Sequence, residues 1–277
     1  MTVAQGEIFG FLGPNGAGKT TAVKLLLGLT RPTSGEAWVL GARAGDRETR
    51  RRIGYLPELF RYQDWLEARE VLQLHCRLAG IPAHLHRDEI DHALTTVGLT
   101  KRATDRVGTF SKGMQQRLGL AVALLGRPNL IFLDEPTSAL DPVGRHDVRE
   151  IVRDLKRRGT TVFLNSHLLS EVEQVCDRVA IVDKGRVVAQ GLMSEVIGGA
   201  RAVRLRLTGV NGAGHTALAH FGSVEQEGDW FTVHGVEEDT VPALVAALVQ
   251  AGAQVHAVAP RHHTLEDRFL QLLKRVE

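Results

Sequence analysis

The sequence reads Gly13-Pro14-Asn15-Gly16-Ala17-Gly18-Lys19-Thr20 between an apolar segment at 8–12 and a segment of helical pattern at 22–29. Glycines between a strand and a helix let backbone N–H groups turn inward, and the helix N-terminus adds its positive end. Lys19 is placed to reach the terminal phosphates of a nucleotide, and Thr20 to bind Mg²⁺ through its hydroxyl. The stretch therefore predicts a phosphate-binding loop in an α/β fold, with a merely structural glycine-rich turn as the alternative.

A second segment of the same kind of chemistry lies far downstream. Residues 130–135 read Leu-Ile-Phe-Leu-Asp-Glu, an apolar strand that ends in two acids. Asp134 is predicted to bind Mg²⁺ at the carboxyl edge of the sheet, and Glu135 to polarise the attacking water, because phosphoryl transfer depends mainly on positioning and charge stabilisation. The alternative, that the two acids only cap the next turn, is disfavoured by the phosphate loop upstream.

Three further motifs accompany these two. They are Phe110-Ser111-Lys112-Gly113-Met114-Gln115-Gln116-Arg117, then Ser138-Ala139-Leu140-Asp141, and finally Asn165-Ser166-His167. In this order and spacing the five motifs resemble those of the ATP-binding-cassette (ABC) ATPases, the nucleotide-binding subunits of ABC transporters, over roughly residues 6–195. Other phosphate-loop kinases and GTPases share only the first two motifs.

The resemblance implies a site shared between two copies of the cassette. One copy would hold ATP with residues 13–20 and Thr21, while Ser111 and Gly113 of the other copy, at the start of an expected helix, would contact the same nucleotide. Asp141 would lie along the interface. His167 would contact the γ-phosphate and hold the water and Glu135 in register, although a lone histidine after a strand is more often an ordinary polar residue.

Two positions depart from the family pattern. Lys112 stands where the family usually has glycine, a variant that is similar to bacterial exporters built from separate ATPase and membrane subunits. Glu58 follows Gly54-Tyr55-Leu56-Pro57, where the family usually has glutamine. We expect Glu58 to approach Mg²⁺ through water, with a solvated loop acid as the alternative.

The front of the chain departs as well. Only twelve residues precede Gly13, whereas the resemblance implies about two further strands and an aromatic residue that stacks on adenine. We therefore expect this cassette to lack those strands, through a miscalled start or a truncation, and we expect a form extended upstream to bind ATP more tightly.

The remaining pattern predicts a phosphate-loop ABC cassette at 1–200 and an accessory domain at 201–277, with a boundary at Gly198-Gly199. Apolar spacing of three and four residues predicts helices at 65–79, 83–97 and 111–125, within a helical subdomain at about 59–127. A strand is expected at 36–40, an Arg-rich connection at 47–52 and a hairpin at 179–189. Beyond 201, the order β-α-β-β-α-β predicts a small ferredoxin-like α+β domain followed by a capped helix, whose role is dimer support, regulation or core packing.

Composition narrows the function classes. A formal charge of +2 gives no reason to expect a nucleic-acid partner, and two cysteines without a pattern argue against a disulfide scaffold or a cysteine-ligated zinc site. The uncharged stretch 240–260 is interrupted by Pro242 and Gly252 and is predicted to form a helix and a strand, not a membrane span. Histidines 75, 84, 86 and 92 lack an accompanying acid or thiol cluster and are expected to be solvated.

These observations predict the ATP-hydrolysing subunit of an ABC transporter at the cytoplasmic face of the cell membrane, and the resemblance implies an exporter. ATP and Mg²⁺ are the expected cofactors. The expected partners are a second ATPase subunit, identical or not, and a separately encoded membrane permease. Two alternatives are a soluble ABC ATPase that acts on ribosomes or nucleic acid, and a nucleotide sensor that has lost hydrolysis.

Overall fold

The computed structural model describes residues 1–138, 140–198, 202–261 and 264–274. It divides the chain into two compact units, Met1–Met193 and Ser194–Glu277, called here the cassette unit and the C-terminal unit. Ala139 of the interface motif and Gly199 of the expected boundary lie outside the described residues.

The cassette unit is built on a six-stranded sheet whose central strands are buried along their whole length. Its strands are β1 (Ile8–Leu12), β4 (Ile53–Leu56), β5 (Leu130–Asp134), β6 (Thr161–Asn165), β7 (Arg178–Asp183) and β8 (Arg186–Leu192), while β2 (Trp38–Val39) and β3 (Ala42–Arg43) form a separate hairpin. The order in the sheet is β4-β5-β6-β1-β7-β8, with β8 antiparallel to β7 and all other pairs parallel. Every residue of β1, β5 and β6 is buried, as expected for parallel strands covered on both faces. The predicted α/β fold is confirmed.

Helices connect these strands. They are α1 (Lys19–Leu26), α2 (Arg47–Arg50), α3 (Ala68–Leu78), α4 (His86–Thr96), α5 (Lys112–Leu124), α6 (Pro142–Arg157) and α7 (Leu169–Val175). The short helix α8 (Met193–Ile197) follows the last strand of this sheet, and all but its first residue belong to the C-terminal unit. The helices predicted between positions 65 and 125 correspond to α3, α4 and α5.

Three local predictions differ from the structure. Helix α1 starts and ends three residues before the predicted span, because Gly18 has φ of 94° at its start and Gly28, with φ of 70°, packs on Gly45 after its end. The connection at 47–52 contains the one-turn helix α2, because the Asp46 side chain accepts a hydrogen bond from Thr49 N. The strand expected at 36–40 is reduced to Trp38–Val39.

The C-terminal unit has the predicted ferredoxin-like topology. Its elements are β9 (Ala202–Thr208), α9 (Gly212–Phe221), β10 (Ser223–Glu227), β11 (Trp230–His234), α10 (Val241–Gln250), β12 (Gln254–Arg261) and α11 (Leu265–Lys274). The sheet order is β10-β11-β9-β12 and all pairs are antiparallel. Residues 241–261 form α10 and β12, as predicted, and none of the helices in the described ranges has both the length and the apolar character needed to cross a membrane.

Candidate active site

The sheet order decides which loops meet. Strand β6 lies between β1 and β5, so the carboxyl ends of these three strands are neighbours at one edge of the sheet. The phosphate loop leaves β1, the two acids follow β5, and the histidine motif follows β6. Segments that are far apart in sequence are thereby brought to a single site, as is usual for open parallel sheets.

The phosphate loop depends on glycine for its shape. A Cβ atom at Gly13 would lie 2.3 Å from the carbonyl oxygen of Val182, so no larger residue fits there. Gly16 and Gly18 have φ values of 81° and 94°, which side-chain-bearing residues rarely adopt. No side chain caps the start of α1, and its first turn carries no acid, which leaves backbone N–H groups available to an anion.

Lys19 is buried inside this loop. Its Nζ donates hydrogen bonds to the carbonyl oxygens of Gly13, at 2.8 Å, and Pro14, at 3.2 Å. The ammonium group is thus held at the centre of the loop by neutral acceptors, where it is available to the charged oxygens of a phosphate.

Asp134 is 2% exposed at the end of β5, and Asn165 Nδ2 donates a 2.5 Å hydrogen bond to its Oδ1. Burial raises the pKa of Asp134 above its ordinary value, while the bond from Asn165 opposes this rise. The nearby carboxylate of Glu58 raises the pKa further, and the cations of Lys19 and Lys24 lower it. The pKa of the acid predicted to bind a metal is therefore set by burial, one hydrogen bond, one carboxylate and two cations, whose effects oppose one another.

Glu135 follows Asp134 directly and has a left-handed backbone, with φ of 52°. Its N–H donates to the carbonyl oxygen of Asn165 at 2.8 Å, which holds this uncommon conformation. Its Oε2 lies 2.7 Å from His167 Nδ1 and 3.5 Å from Ser166 Oγ. The carboxylate is buried, whereas the His167 side chain is 53% exposed, so the histidine extends from the acid towards the open side of the site.

Sequence reasoning gave no separate role to Asn165 or Ser166, although both lie in a motif that it quoted. Asn165 contacts both acids, through its side chain to Asp134 and through its carbonyl oxygen to Glu135. Ser166 reaches Glu135 and accepts a hydrogen bond from Leu168 N at 3.1 Å. Both residues lie at the end of an apolar stretch that the sequence predicts to be a buried strand, and this position could have indicated that they lie near the acids that end another such strand.

Ser111, Gly113 and Asp141 form a second region. Ser111 caps α5 by accepting a hydrogen bond from Met114 N at 3.3 Å, and Asp141 caps α6 by accepting one from Gly144 N at 2.8 Å. A Cβ atom at Gly113 would lie 3.8 Å from Leu140 Cδ2, so the two helix starts are neighbours. Among the described residues, no hydrogen bond or ion pair joins this region to Lys19, Asp134 or Glu135.

The oxygen donors near Asp134 fit Mg²⁺ in kind. Thr20 and Glu58 are exposed, as is Thr21, and hydroxyl and carboxylate oxygens are the ligands that this hard cation prefers. The described ranges contain no group of three or more histidine, cysteine or acidic residues that could hold a metal ion alone.

Comparisons with known proteins agree with this geometry. A family profile described as "ABC transporter" matches residues 1–138. An uncharacterized ABC transporter ATP-binding protein of Synechocystis is 41% identical over 276 residues, which cover 99% of this chain and 77% of that protein. A daunorubicin resistance ATP-binding protein of Streptomyces coeruleorubidus is 40% identical over 282 residues, covering 98% and 89% of the two chains.

A solved structure is similar as well. It is described as the dimeric structure of a post-hydrolysis state of an ATP-binding cassette bound to ADP and phosphate. The TM-score is 0.62 at 25% identity, over 70% of this chain and 88% of that one.

Proposed function

This chain belongs to the ATP-binding proteins of ABC transporters and is an ATPase subunit, and from that premise we propose how its residues bind and hydrolyse ATP and with what they assemble. The family and the ATPase activity expected from the sequence are confirmed by the comparisons. The observation that carries the proposal is the contact of Glu135 with His167 beside the phosphate loop.

ATP binds with its phosphates in the loop formed by residues 13–21. The N–H groups at the start of α1 surround the β-phosphate, and Lys19 exchanges its bonds with neutral carbonyl oxygens for bonds with charged phosphate oxygens. The Thr20 hydroxyl and the Asp134 carboxylate would hold Mg²⁺, with Glu58 approaching through water. When bound, the cation neutralises charge on the phosphates.

Glu135 and His167 carry the hydrolytic step. Glu135 accepts a proton from the attacking water, and His167 orients the carboxylate through its 2.7 Å contact. Ser166, 3.5 Å from the same carboxylate oxygen, helps to keep that orientation. Positioning of this kind is the main contribution of protein to phosphoryl transfer.

A second cassette completes the site. Ser111, Lys112 and the first N–H groups of α5 form an exposed helix start with a cation, which suits a phosphate supplied from outside the chain. Gly113 allows close approach there, and Asp141 lies on the neighbouring loop. The similarity to a dimeric cassette supports a head-to-tail pair with ATP between the subunits.

The chain acts on a separate membrane permease at the cytoplasmic face of the cell membrane, and export is the direction that the drug-resistance relative supports. Leu59 and Trp65, which flank the loop after Glu58, are 88% and 71% exposed. Exposed apolar side chains at the entrance to a helical subdomain suit contact with a partner protein. The relatives named above are an ABC transporter ATP-binding protein, a drug-resistance ATP-binding protein and an ATP-binding cassette. They favour action on a membrane permease over action on ribosomes or nucleic acid.

The test is the size of the Glu135→Gln protein in solution, with and without ATP and Mg²⁺. Glutamine keeps the shape of the side chain but does not accept the proton, so ATP should persist and the protein should change from monomer to dimer. The same protein carrying Ser111→Arg is the matched control, because the added bulk blocks the helix start that meets the second nucleotide. If Glu135→Gln stays monomeric with bound ATP, the shared site is refuted.

A further inference from the structure

We propose that the ion pair between Arg149 and Glu171 is a positioning element for ATP hydrolysis, which fixes α7, and with it Ser166 and His167, relative to Glu135. The inference rests on the roles proposed above for Glu135 and His167. It adds two residues that belong to none of the five sequence motifs.

The pair differs from the other charged contacts of α6 in its burial. Arg149 Nη1 lies 2.5 Å from Glu171 Oε2, and the two side chains are only 16% and 11% exposed. The side chains in the other ion pairs of α6 with lysine or arginine are each at least 28% exposed. A buried ion pair gains little net stability, because both charges lose water. Its burial at this point therefore favours a role in geometry.

The surroundings of the pair lead directly to the hydrolytic site. Arg149 and Glu171 line a cavity of about 10 Å³ together with Pro136, Thr137 and Ser166. Such a volume holds about one water molecule at most. Arg149 Nε is buried and has no hydrogen-bond partner in the part of the chain that the structure describes, so the guanidinium is held there mainly by Glu171. The pair thus lies beneath the loop that follows Glu135.

Hydrogen bonds connect the start of α7 to Glu135 through Ser166. Glu171 lies in the first turn of α7, and just before that helix Leu168 N donates to Ser166 Oγ, which in turn is 3.5 Å from Glu135 Oε2. His167 lies between Ser166 and Leu168 and makes the 2.7 Å contact with the same oxygen.

Helix α6 connects the ion pair to the loop at Asp141, which is proposed to lie at the interface with the second cassette. It starts after Asp141, and Arg145 Nε donates to the carbonyl oxygen of Leu140 at 3.0 Å. Arg149 follows one helical turn later and binds Glu171. The ion pair therefore joins the helix that begins at the interface aspartate to the helix that begins at the histidine.

The experiment compares the wild type with the double variant Arg149→Met/Glu171→Leu. Apolar side chains of similar volume replace buried ion pairs without loss of stability in other proteins, so this variant should fold. We expect kcat to fall about tenfold or more, because small displacements of catalytic groups have effects of this size. ATP affinity and the melting temperature should not change. Arg149→Lys, which keeps the cation, should retain most of the turnover.

Lys156→Met is the matched control, since Lys156 also lies on α6, in its last turn, and forms a 2.5 Å ion pair with Asp177. It should hydrolyse ATP at the rate of the wild type. The proposal would be overturned by an unchanged kcat in the double variant, or by a fall of its ATP affinity and melting temperature together with kcat. Unfolding of the double variant, or an equal loss of turnover in Arg149→Lys, would overturn it as well. Glu135→Gln in the same assay separates the two inferences: if that variant turns over fully, it is the proposed role of Glu135 that fails.

Discussion

The cassette unit and the C-terminal unit bury different kinds of side chain. In the cassette unit, Lys19, Asp134, Glu135 and Glu171 are all buried although they carry charge. In the described part of the C-terminal unit, the one buried polar side chain is that of Thr232, and the core is formed by apolar residues of the sheet and of α9 and α10.

This difference reflects the two sheets. The parallel sheet of the cassette unit brings three strand ends to one edge, where buried charges are held by one another and by backbone groups. The antiparallel sheet of the C-terminal unit packs one face on its helices and places charged residues such as Arg206 and Glu227 outside. Because burying charge is costly unless it is paired, the buried charges of Lys19, Asp134 and Glu135 suit the chemistry proposed for them, whereas the apolar core of the C-terminal unit suits stability.

The largest expected effect is that of Glu135→Gln on turnover. Loss of a general base lowers a rate by about 10²–10⁴-fold, whereas ATP binding and folding should be preserved because the side chain keeps its shape. Phosphate release and nucleotide binding measure the two quantities separately. Glu36→Gln, an exposed acid of the same unit, is the control. Full turnover in Glu135→Gln would show that this buried carboxylate does not act as the general base.

Leu205→Ala tests the other side of the comparison. Leu205 is fully buried at the centre of the C-terminal unit, and such a truncation destabilises a core by about 2–5 kcal/mol. Hydrogen exchange of the β9 and β11 amides should accelerate, while exchange of β1 amides and ATP binding remain as they are. Val249→Ala, 57% exposed on α10, should have little effect. Equal acceleration in β1 would contradict the separation into two units.

Lys19→Ala should weaken ATP binding without unfolding the cassette unit. Hydrogen bonds to charged groups contribute about 1.5–3 kcal/mol, which corresponds to roughly a 10- to 150-fold loss of affinity. Titration with a fluorescent ATP analogue measures this loss, and Lys101→Ala, an exposed lysine, provides the control. Unchanged affinity would show that the ammonium group serves only to hold the loop.

The smallest expected effect is that of Arg204→Ala. The guanidinium carbon lies 4.6 Å from the centre of the Trp230 ring, and a contact of this kind contributes about 0.5–1 kcal/mol. Urea unfolding followed by tryptophan fluorescence should register this small change, while hydrolysis stays constant. Arg206→Ala, on the same strand and more exposed, is the comparison variant. A loss of ATPase activity in Arg204→Ala alone would give the C-terminal unit a part in the chemistry.

Local patterns determined the elements and the motif residues of this chain. Backbone freedom and short-range sterics specify the strand Ile8–Leu12, the glycine loop after it and the strand Leu130–Asp134 with the acid at its end. The alternation in β9 and β11 likewise specified strands, and the order of elements was enough to give the ferredoxin-like topology.

Only the tertiary structure decided which side chains meet. Asn165 joins Asp134 across 31 positions, and Arg149 joins Glu171 across 22, through the pairing of β5 with β6 and the packing of α6 against α7. The left-handed backbone of Glu135 is stabilised by the carbonyl oxygen of Asn165 on the next strand. Such contacts depend on long-range register, and no short-range pattern encodes register, because propensity and periodicity act over a few neighbouring residues.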